Sequence, residues 1–67
     1  MDNLQVVPKQ VKLNLVGLDG NAYALMGAFM KQARREKWEK EEIDLVIAKA
    51  KSGDYNNLLA VLMTHIK

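Results

Sequence analysis

A chain of 67 residues that contains no cysteine and only one histidine has to fold without disulfides and without the usual ligands of a structural zinc site. A domain of this size buries only about 60% of the surface that its unfolded chain exposes, so its stability is small. Small domains without such crosslinks usually gain stability by associating with another chain. The sequence therefore predicts one small domain that forms a homo-oligomer, either a dimer or a larger assembly.

Composition and charge exclude several classes of protein. The apolar fraction of 49% and the charged fraction of 27% are typical of a folded globular domain. The net charge of +2 is too small for a dedicated nucleic-acid-binding protein, which would carry a strong basic stripe. No apolar run approaches the roughly 18 residues of a membrane span, and the first residues do not resemble a signal peptide. We expect a cytoplasmic protein with neither a membrane nor a nucleic acid as partner.

Residues 10–17 alternate between apolar and polar side chains, which is the pattern of a half-buried strand. A lone strand leaves its backbone donors and acceptors unpaired. It must pair with residues 3–7 of the same chain or with a second copy, and Pro8 interrupts the first of these partners. We therefore predict that residues 1–9 form an arm and that the strand pairs between two copies. The predicted oligomer interface is the apolar face of the strand, which comprises Val11, Leu13 and Leu15.

The spacing of apolar residues after this strand predicts three helices, over residues 21–37, 39–52 and 55–66. Asp19 or Asn21 can cap the first helix, because their side-chain oxygens accept from the first free amides. Gly53 is expected to end the second helix in the left-handed conformation. Trp38 is expected to fill the corner between the first two helices. The predicted fold is α+β and mostly α, with residues 10–67 forming the single domain.

No arrangement of residues indicates catalysis. Thr64 and His65 are neighbours on a predicted helix, so their side chains diverge by about 100° and do not make a dyad. His65 is interpreted as a polar residue that suits the end of a helix. The acidic group Glu41, Glu42 and Asp44 is typical of a solvated helix face. The sequence therefore predicts a protein that is not an enzyme and has no metal site and no cofactor.

The turn at residues 17–21 joins the predicted strand to a helix N-terminus, a geometry that can present free amides to an anion. It matches neither phosphate-binding glycine fingerprint, and Asp19 would repel a phosphate, so a tight turn with a helix cap is the main interpretation. The basic residues near the end of the first predicted helix suit a solvated surface or a patch that binds an anion or a partner. If a ligand binds here, its predicted site is Gly17, Asp19, Gly20, Asn21, Arg34 and Arg35.

Two stretches carry a resemblance to known sequences. They are Gly-Leu-Asp-Gly-Asn-Ala-Tyr-Ala-Leu-Met-Gly from residue 17 and Ser-Gly-Asp-Tyr-Asn-Asn-Leu-Leu from residue 52. With the arginine pair and the Lys-Glu-Glu-Ile-Asp between them, they resemble a group of short hypothetical proteins of phage and bacterial genomes. The resemblance covers roughly residues 15–66. It implies a recurring pattern at Asp19, Gly20, Asn21, Gly53, Asp54 and Tyr55, and it implies no activity.

These observations lead to a first hypothesis and two alternatives. The first is a non-enzymatic, phage-type binding protein that acts as a homo-oligomer in the host cytoplasm and counters host defence. It would sequester a signalling nucleotide or block a host protein. One alternative is a protein–protein interaction module without a small ligand, for which an exposed apolar patch including Trp38 or Tyr23 would be evidence. The other is a helix-turn-helix regulator, which the acidic start of the second predicted helix disfavours.

Overall fold

The computed structural model describes residues 4–15 and 17–67 of the chain. It contains three α-helices, and the predicted mostly helical architecture is confirmed, with each helix slightly shorter than predicted. The helices are α1 (Ala22–Arg35), α2 (Lys40–Ala50) and α3 (Tyr55–Thr64). All three pack against one another, and α3 contacts both of the others.

Helix α1 begins at a side-chain cap. The Asn21 side chain accepts a hydrogen bond from the backbone N–H of Tyr23 at 2.8 Å. The Asp19 carboxylate in turn accepts from the N–H of Asn21 at 3.0 Å. Of the two caps that the sequence offered, Asn21 is therefore the N-cap, and Asp19 supports it. Such caps satisfy amides that have no partner inside the helix.

The end of α1 turns the chain back through a residue with a positive φ. Lys37 has a φ of 63°, a conformation that is uncommon for a residue other than glycine. The N–H of Trp38 donates to the carbonyl of Ala33, and the N–H of Lys37 donates to that of Arg34, each at 3.0 Å. This pair of bonds is the Schellman motif. It turns Trp38 into the core, where its ring meets the edge of Phe29 at a centroid distance of 5.6 Å.

Helix α2 is fixed at both ends by side chains. At its start, the Glu42 carboxylate accepts from the N–H of Glu39 at 2.9 Å. Near its end, the Asn57 side-chain amide donates to the carbonyls of Lys49 and Ala50 at 3.1 and 3.2 Å. The prediction that Gly53 adopts the left-handed conformation is wrong, because its φ is not positive. Gly53 is needed for space instead, since an added Cβ would lie 2.9 Å from the Cβ of Asn57.

The core lies where the three helices meet the N-terminal segment. Phe29 and Val46 are fully buried on α1 and α2, and Leu62 is fully buried on α3. Each helix supplies residues at the three- and four-residue spacing of one face, as the sequence predicted. The buried apolar residues are Val7, Val11, Leu25, Met26, Phe29, Ala33, Trp38, Ile43, Val46, Ile47, Ala50, Leu58, Val61 and Leu62.

The predicted strand over residues 10–17 is wrong for the part of the chain that the structure describes, which excludes residue 16. Only Val11 pairs, in a single parallel bridge with Ile66. The N–H of Val11 donates to the His65 carbonyl at 2.8 Å, and the N–H of Lys67 donates to the Val11 carbonyl at 2.9 Å. The N–H of Lys12 instead donates to the carboxylate of Glu36, the C-cap residue of α1, at 2.8 Å, so the pairing does not extend.

The described part of the arm, residues 4–9, lies against the helices. Val7 is 97% buried, with only 3% of its surface exposed. The ammonium group of Lys9 forms an ion pair with the Glu42 carboxylate at 2.7 Å. The N–H groups of Val6 and Val7 both donate to the Nε2 atom of His65. The N-terminal segment is therefore packed onto the first turn of α2 and the C-terminal end of α3.

Candidate functional site

The turn that the sequence suggested for anion binding forms a closed helix cap. Gly17 has a φ of 88°, which turns the chain toward α1. The N–H groups of Asn21 and Tyr23 are bonded to side-chain oxygens within the turn and the cap. The Tyr55 hydroxyl donates to the Gly20 carbonyl, which ties the turn to the start of α3. Asp19 places a carboxylate beside these amides, so the local field disfavours an anion.

The two arginines of the predicted ligand site lie at the opposite end of the same helix. Arg34 and Arg35 are exposed in the last turn of α1. Thirteen residues separate Asn21 from Arg34, and at the rise of an α-helix this is about 20 Å. Within one chain, the structure does not bring the glycine turn and the arginines together. A site that combines them across two subunits stays a prediction.

Of the three predicted interface residues, two are partly accessible. Val11 is fully buried by its own chain, so it has no surface to offer a partner. Leu13 and Leu15 are half-buried, and they pack against the edge of the core. None of the backbone hydrogen bonds among the described residues involves Leu13.

Leu13 and Leu15 line a mainly apolar groove at the C-terminal end of α3. Met63, which is 61% exposed, and Ile66 also line it. We call it the leucine groove, and its lining is completed by Asn14 and Lys67. An open groove lined mainly by apolar side chains is typical of a surface that another chain covers.

A second open groove lies at the N-terminal end of α3, between that end, the start of α1 and the end of α2. Its volume is about 360 Å³. Met26 and Leu58 form its floor, and Tyr23 and Tyr55 stand at its rim with 79% and 44% of their surface exposed. We call it the tyrosine groove. Lys51 and Asp54 also line it, so its charged groups are of opposite sign.

The solvent-facing side of α3 joins the two grooves. Helix α3 has no charged residue over its ten positions. Its outer face, defined here as Tyr55, Asn56, Leu59, Ala60 and Met63, is exposed or half-buried along its whole length. The outer sides of the other two helices carry charges, at Lys31, Arg34 and Arg35 of α1 and at Lys40, Glu41 and Asp44 of α2. A surface helix without charges departs from the usual amphipathic pattern and indicates a contact surface.

Two carboxylates with perturbed acidity lie away from this surface. The Gln32 side-chain amide donates to the Glu36 carboxylate at 2.8 Å and, together with the Lys12 N–H, holds the pKa of Glu36 below its ordinary value. Hydrogen bonding from Lys9 lowers the pKa of Glu42 in the same direction, with a smaller effect from the Glu39 N–H. Both carboxylates bind the N-terminal segment, so their perturbation has a structural cause.

His65 is the C-cap residue of α3, at the helix end where the sequence places it, but the sequence does not predict that it is fully buried. Its Nδ1 atom lies 2.8 Å from the Val61 carbonyl, and its Nε2 atom faces the N–H groups of Val6 and Val7 at 3.1 and 3.4 Å. Since Nε2 must accept, Nδ1 carries the proton. His65 lies seven residues after Leu58, four after Val61 and three after Leu62, and this helical spacing from buried residues was the available signal for a buried position.

The described residues do not assemble a reactive group. The Thr64 hydroxyl donates to the Ala60 carbonyl at 2.7 Å, and the ring nitrogens of His65 are directed at backbone atoms. Among residues 4–15 and 17–67, no three metal-binding side chains converge. In the same residues, every buried side-chain nitrogen and oxygen has a hydrogen-bond partner. No helix of the described chain has the length and hydropathy needed to cross a membrane.

Comparison with known proteins leaves the chain without an assigned family. No protein-family model, curated protein or solved structure matches it. The resemblance to short phage and bacterial proteins therefore stays a prediction. The uncharged face of α3, with a groove at each end, is the candidate functional site.

Proposed function

We propose that this chain is a non-enzymatic binding protein that acts as a homo-oligomer and associates through the outer face of α3. The observation that carries the proposal is that this face has no charge while the solvent-facing sides of α1 and α2 do. The predicted interface residues Leu13 and Leu15 adjoin it through the leucine groove. The self-association surface is therefore one continuous strip from Tyr23 to Leu13.

Association through this face is favourable because it removes apolar surface from water. Each square ångström of apolar surface that is covered contributes about 25 cal/mol. Tyr23 and Met63 are mostly exposed, and Tyr55 is nearly half exposed, so covering them with a second copy is favourable. A second copy also supplies the stabilisation that a short chain without disulfides needs.

The oligomer is proposed to bind a further molecule, and two observations favour a protein over a nucleotide as that molecule. The amides of the glycine turn at Asn21 and Tyr23 are already bonded within the chain. The basic residues Arg34 and Arg35 lie at the far end of α1. We propose a partner protein, which would be a host component if the chain is phage-encoded. A helix-turn-helix regulator has less support, because Glu41 and Glu42 occupy the first turn of α2 and repel phosphates.

The proposal is tested by the mass of the particle in solution. Wild-type protein is measured by sedimentation or by light scattering over a range of concentrations, together with Met63→Glu. The matched control is Leu45→Glu, because Leu45 is a similarly exposed apolar residue, at 54%, on the charged outer side of α2. Circular dichroism verifies that both variants stay helical.

We expect wild type and Leu45→Glu to be oligomeric and Met63→Glu to be monomeric. A wild-type protein that stays monomeric at about 100 μM, a concentration at which even weak dimers are populated, would contradict the proposal. An oligomer that dissociates equally in both variants would also contradict it, because the contact would then not lie on α3.

A further inference from the structure

The two ends of the outer face of α3 differ in a way that makes the surface complementary to itself. The N-terminal end carries the tyrosine groove, an open cavity of about 360 Å³ with aromatic rims. The C-terminal end carries Met63, a long, flexible and exposed side chain. A methionine thioether makes favourable contacts with aromatic rings and adapts its shape to an irregular groove. Met63 at the C-terminal end of α3 can therefore fill the tyrosine groove at the N-terminal end of α3 in a second copy.

Resting on the proposed function, we propose that two copies associate about a two-fold axis with their α3 helices antiparallel, so that Met63 of each copy enters the tyrosine groove of the other. In a two-fold interface every contact occurs twice, because residue i of one copy meets residue j of the other and residue j meets residue i. Antiparallel order places the N-terminal end of one helix against the C-terminal end of the other, which brings unlike ends together. The same order opposes the two helix dipoles, which is favourable.

The spacing along α3 fixes where the axis passes. Asn56 and Met63 point in nearly the same direction, because seven residues make almost two helical turns. The midpoint between them lies between Leu59 and Ala60, which is the centre of the outer face. With the axis there, Asn56 of one copy faces Met63 of the second copy. Tyr55, the rim residue next to Asn56, is then within reach of that methionine, which enters the tyrosine groove from this rim.

A parallel pair of α3 helices would use the same face less completely. It would place Met63 against Met63 and Tyr55 against Tyr55, and both tyrosine grooves would stay open to water. The charges at the ends also favour the antiparallel order. Asp54 and Lys51 line the groove at one end, and Lys67 lies at the other. The antiparallel pair brings Asp54 of one copy toward the end of the second copy that carries Lys67, so opposite charges approach each other.

Disulfide crosslinking measures this geometry directly, because the chain contains no cysteine of its own. Packed helices lie about 8–10 Å apart, so Cα atoms that face each other directly are about 3.5–5.5 Å apart. That separation overlaps the range that a disulfide spans. In the antiparallel pair, the two copies of position 56 are about 10 Å apart along the helix axis, which is beyond this range.

The experiment mixes a chain carrying Asn56→Cys with one carrying Met63→Cys and follows dimer formation on mild oxidation. Both positions are exposed, so the substitutions leave the core intact. We expect the mixed 56–63 crosslink to form several-fold faster than either the 56–56 or the 63–63 crosslink. A chain with Leu45→Cys on α2 gives the rate of random collision.

The outcomes separate the two proposals. Faster self-crosslinking at positions 56 and 63 than between them would mean a parallel pair, which overturns this geometry and leaves the proposed function standing. An oligomeric wild type with no crosslinking above the Leu45→Cys rate would place the contact away from the outer face of α3, which overturns this geometry and also contradicts the surface assigned in the proposed function. A monomeric wild type would refute the proposed function and this inference together.

Discussion

Replacing His65 with leucine tests how the N-terminal segment is held. Leucine keeps an apolar side chain of comparable size against Phe29, whose ring centroid lies 6.5 Å from that of His65. It removes the acceptor for Val6 and Val7 and the bond to the Val61 carbonyl. The perturbation is therefore the loss of polar contacts, with little change in packing.

The expected cost follows from the burial of each group. The Val7 N–H is buried, and a buried donor left without a partner costs about 1–3 kcal/mol. The bond from Nδ1 to the Val61 carbonyl contributes about 1 kcal/mol. The Val6 N–H is only partly buried and can bond to water, so it adds little. We expect His65→Leu to lower the free energy of unfolding by about 2–4 kcal/mol, out of about 3–10 kcal/mol for a chain of this length.

Urea unfolding gives the measurement. The fluorescence of Trp38, which is buried beside Phe29, reports the core, and the circular dichroism at 222 nm reports the helices. The protein concentration is held fixed, because self-association stabilises the folded state. Lys31→Leu, on the exposed side of α1, is the control and should change the free energy by less than about 0.5 kcal/mol. If His65→Leu behaves like this control, and the Val7 amide exchanges no faster with solvent, the reasoning is refuted.

Two further perturbations probe other parts of the fold. Gly53→Ala should lower the free energy of unfolding by about 1–2 kcal/mol in the same assay, because the added Cβ meets Asn57 at 2.9 Å. Gly27→Ala should instead raise the free energy of unfolding by about 1 kcal/mol, because the added Cβ meets no neighbouring side chain or element within 4 Å and alanine favours a helix more than glycine does. Because the pKa of Glu42 is lowered in the folded state, its stabilising contribution is present above the ordinary glutamate pKa and is lost as the pH falls through the folded value. Between about pH 5 and pH 3, unfolding of the wild type should therefore depend more steeply on pH than that of Glu42→Gln, which cannot gain a proton in its contact with Lys9. Equal slopes would show that this contact is not linked to folding.

The helices were predictable because their signals are local. The apolar spacing of α1, α2 and α3 and the caps at Asn21 and Asp54 lie within a few residues of the structure they specify. The strand was predicted wrongly because strand pairing depends on residues that are distant in the sequence. Alternation near Val11 reports which side chains are buried, but a strand also needs a partner backbone. That partner is Ile66, which no local pattern could indicate.

The candidate site was predictable only in part. The sequence placed Leu13 and Leu15 at an interface, and they do line an apolar groove. It did not identify the outer face of α3, because apolar spacing alone assigns Leu59 and Met63 to the same face as Leu58, Leu62 and Ile66. This surface is defined by exposed residues of α3 that carry no charge, so it can be recognised only when the exposure of residues such as Met63 is known.

The long-range contacts of the N-terminal segment have a consequence for synthesis of the chain. The acceptor of Val6 and Val7 on His65 lies 59 and 58 residues further along the chain. At translation rates of about 5–20 residues per second, that acceptor is made about 3–12 s later. Throughout this interval the hydrogen bonds that hold Val6 and Val7 cannot form. Slower translation would prolong the interval, so residues 4–9 stay accessible to chaperones until the end of α3 has been made.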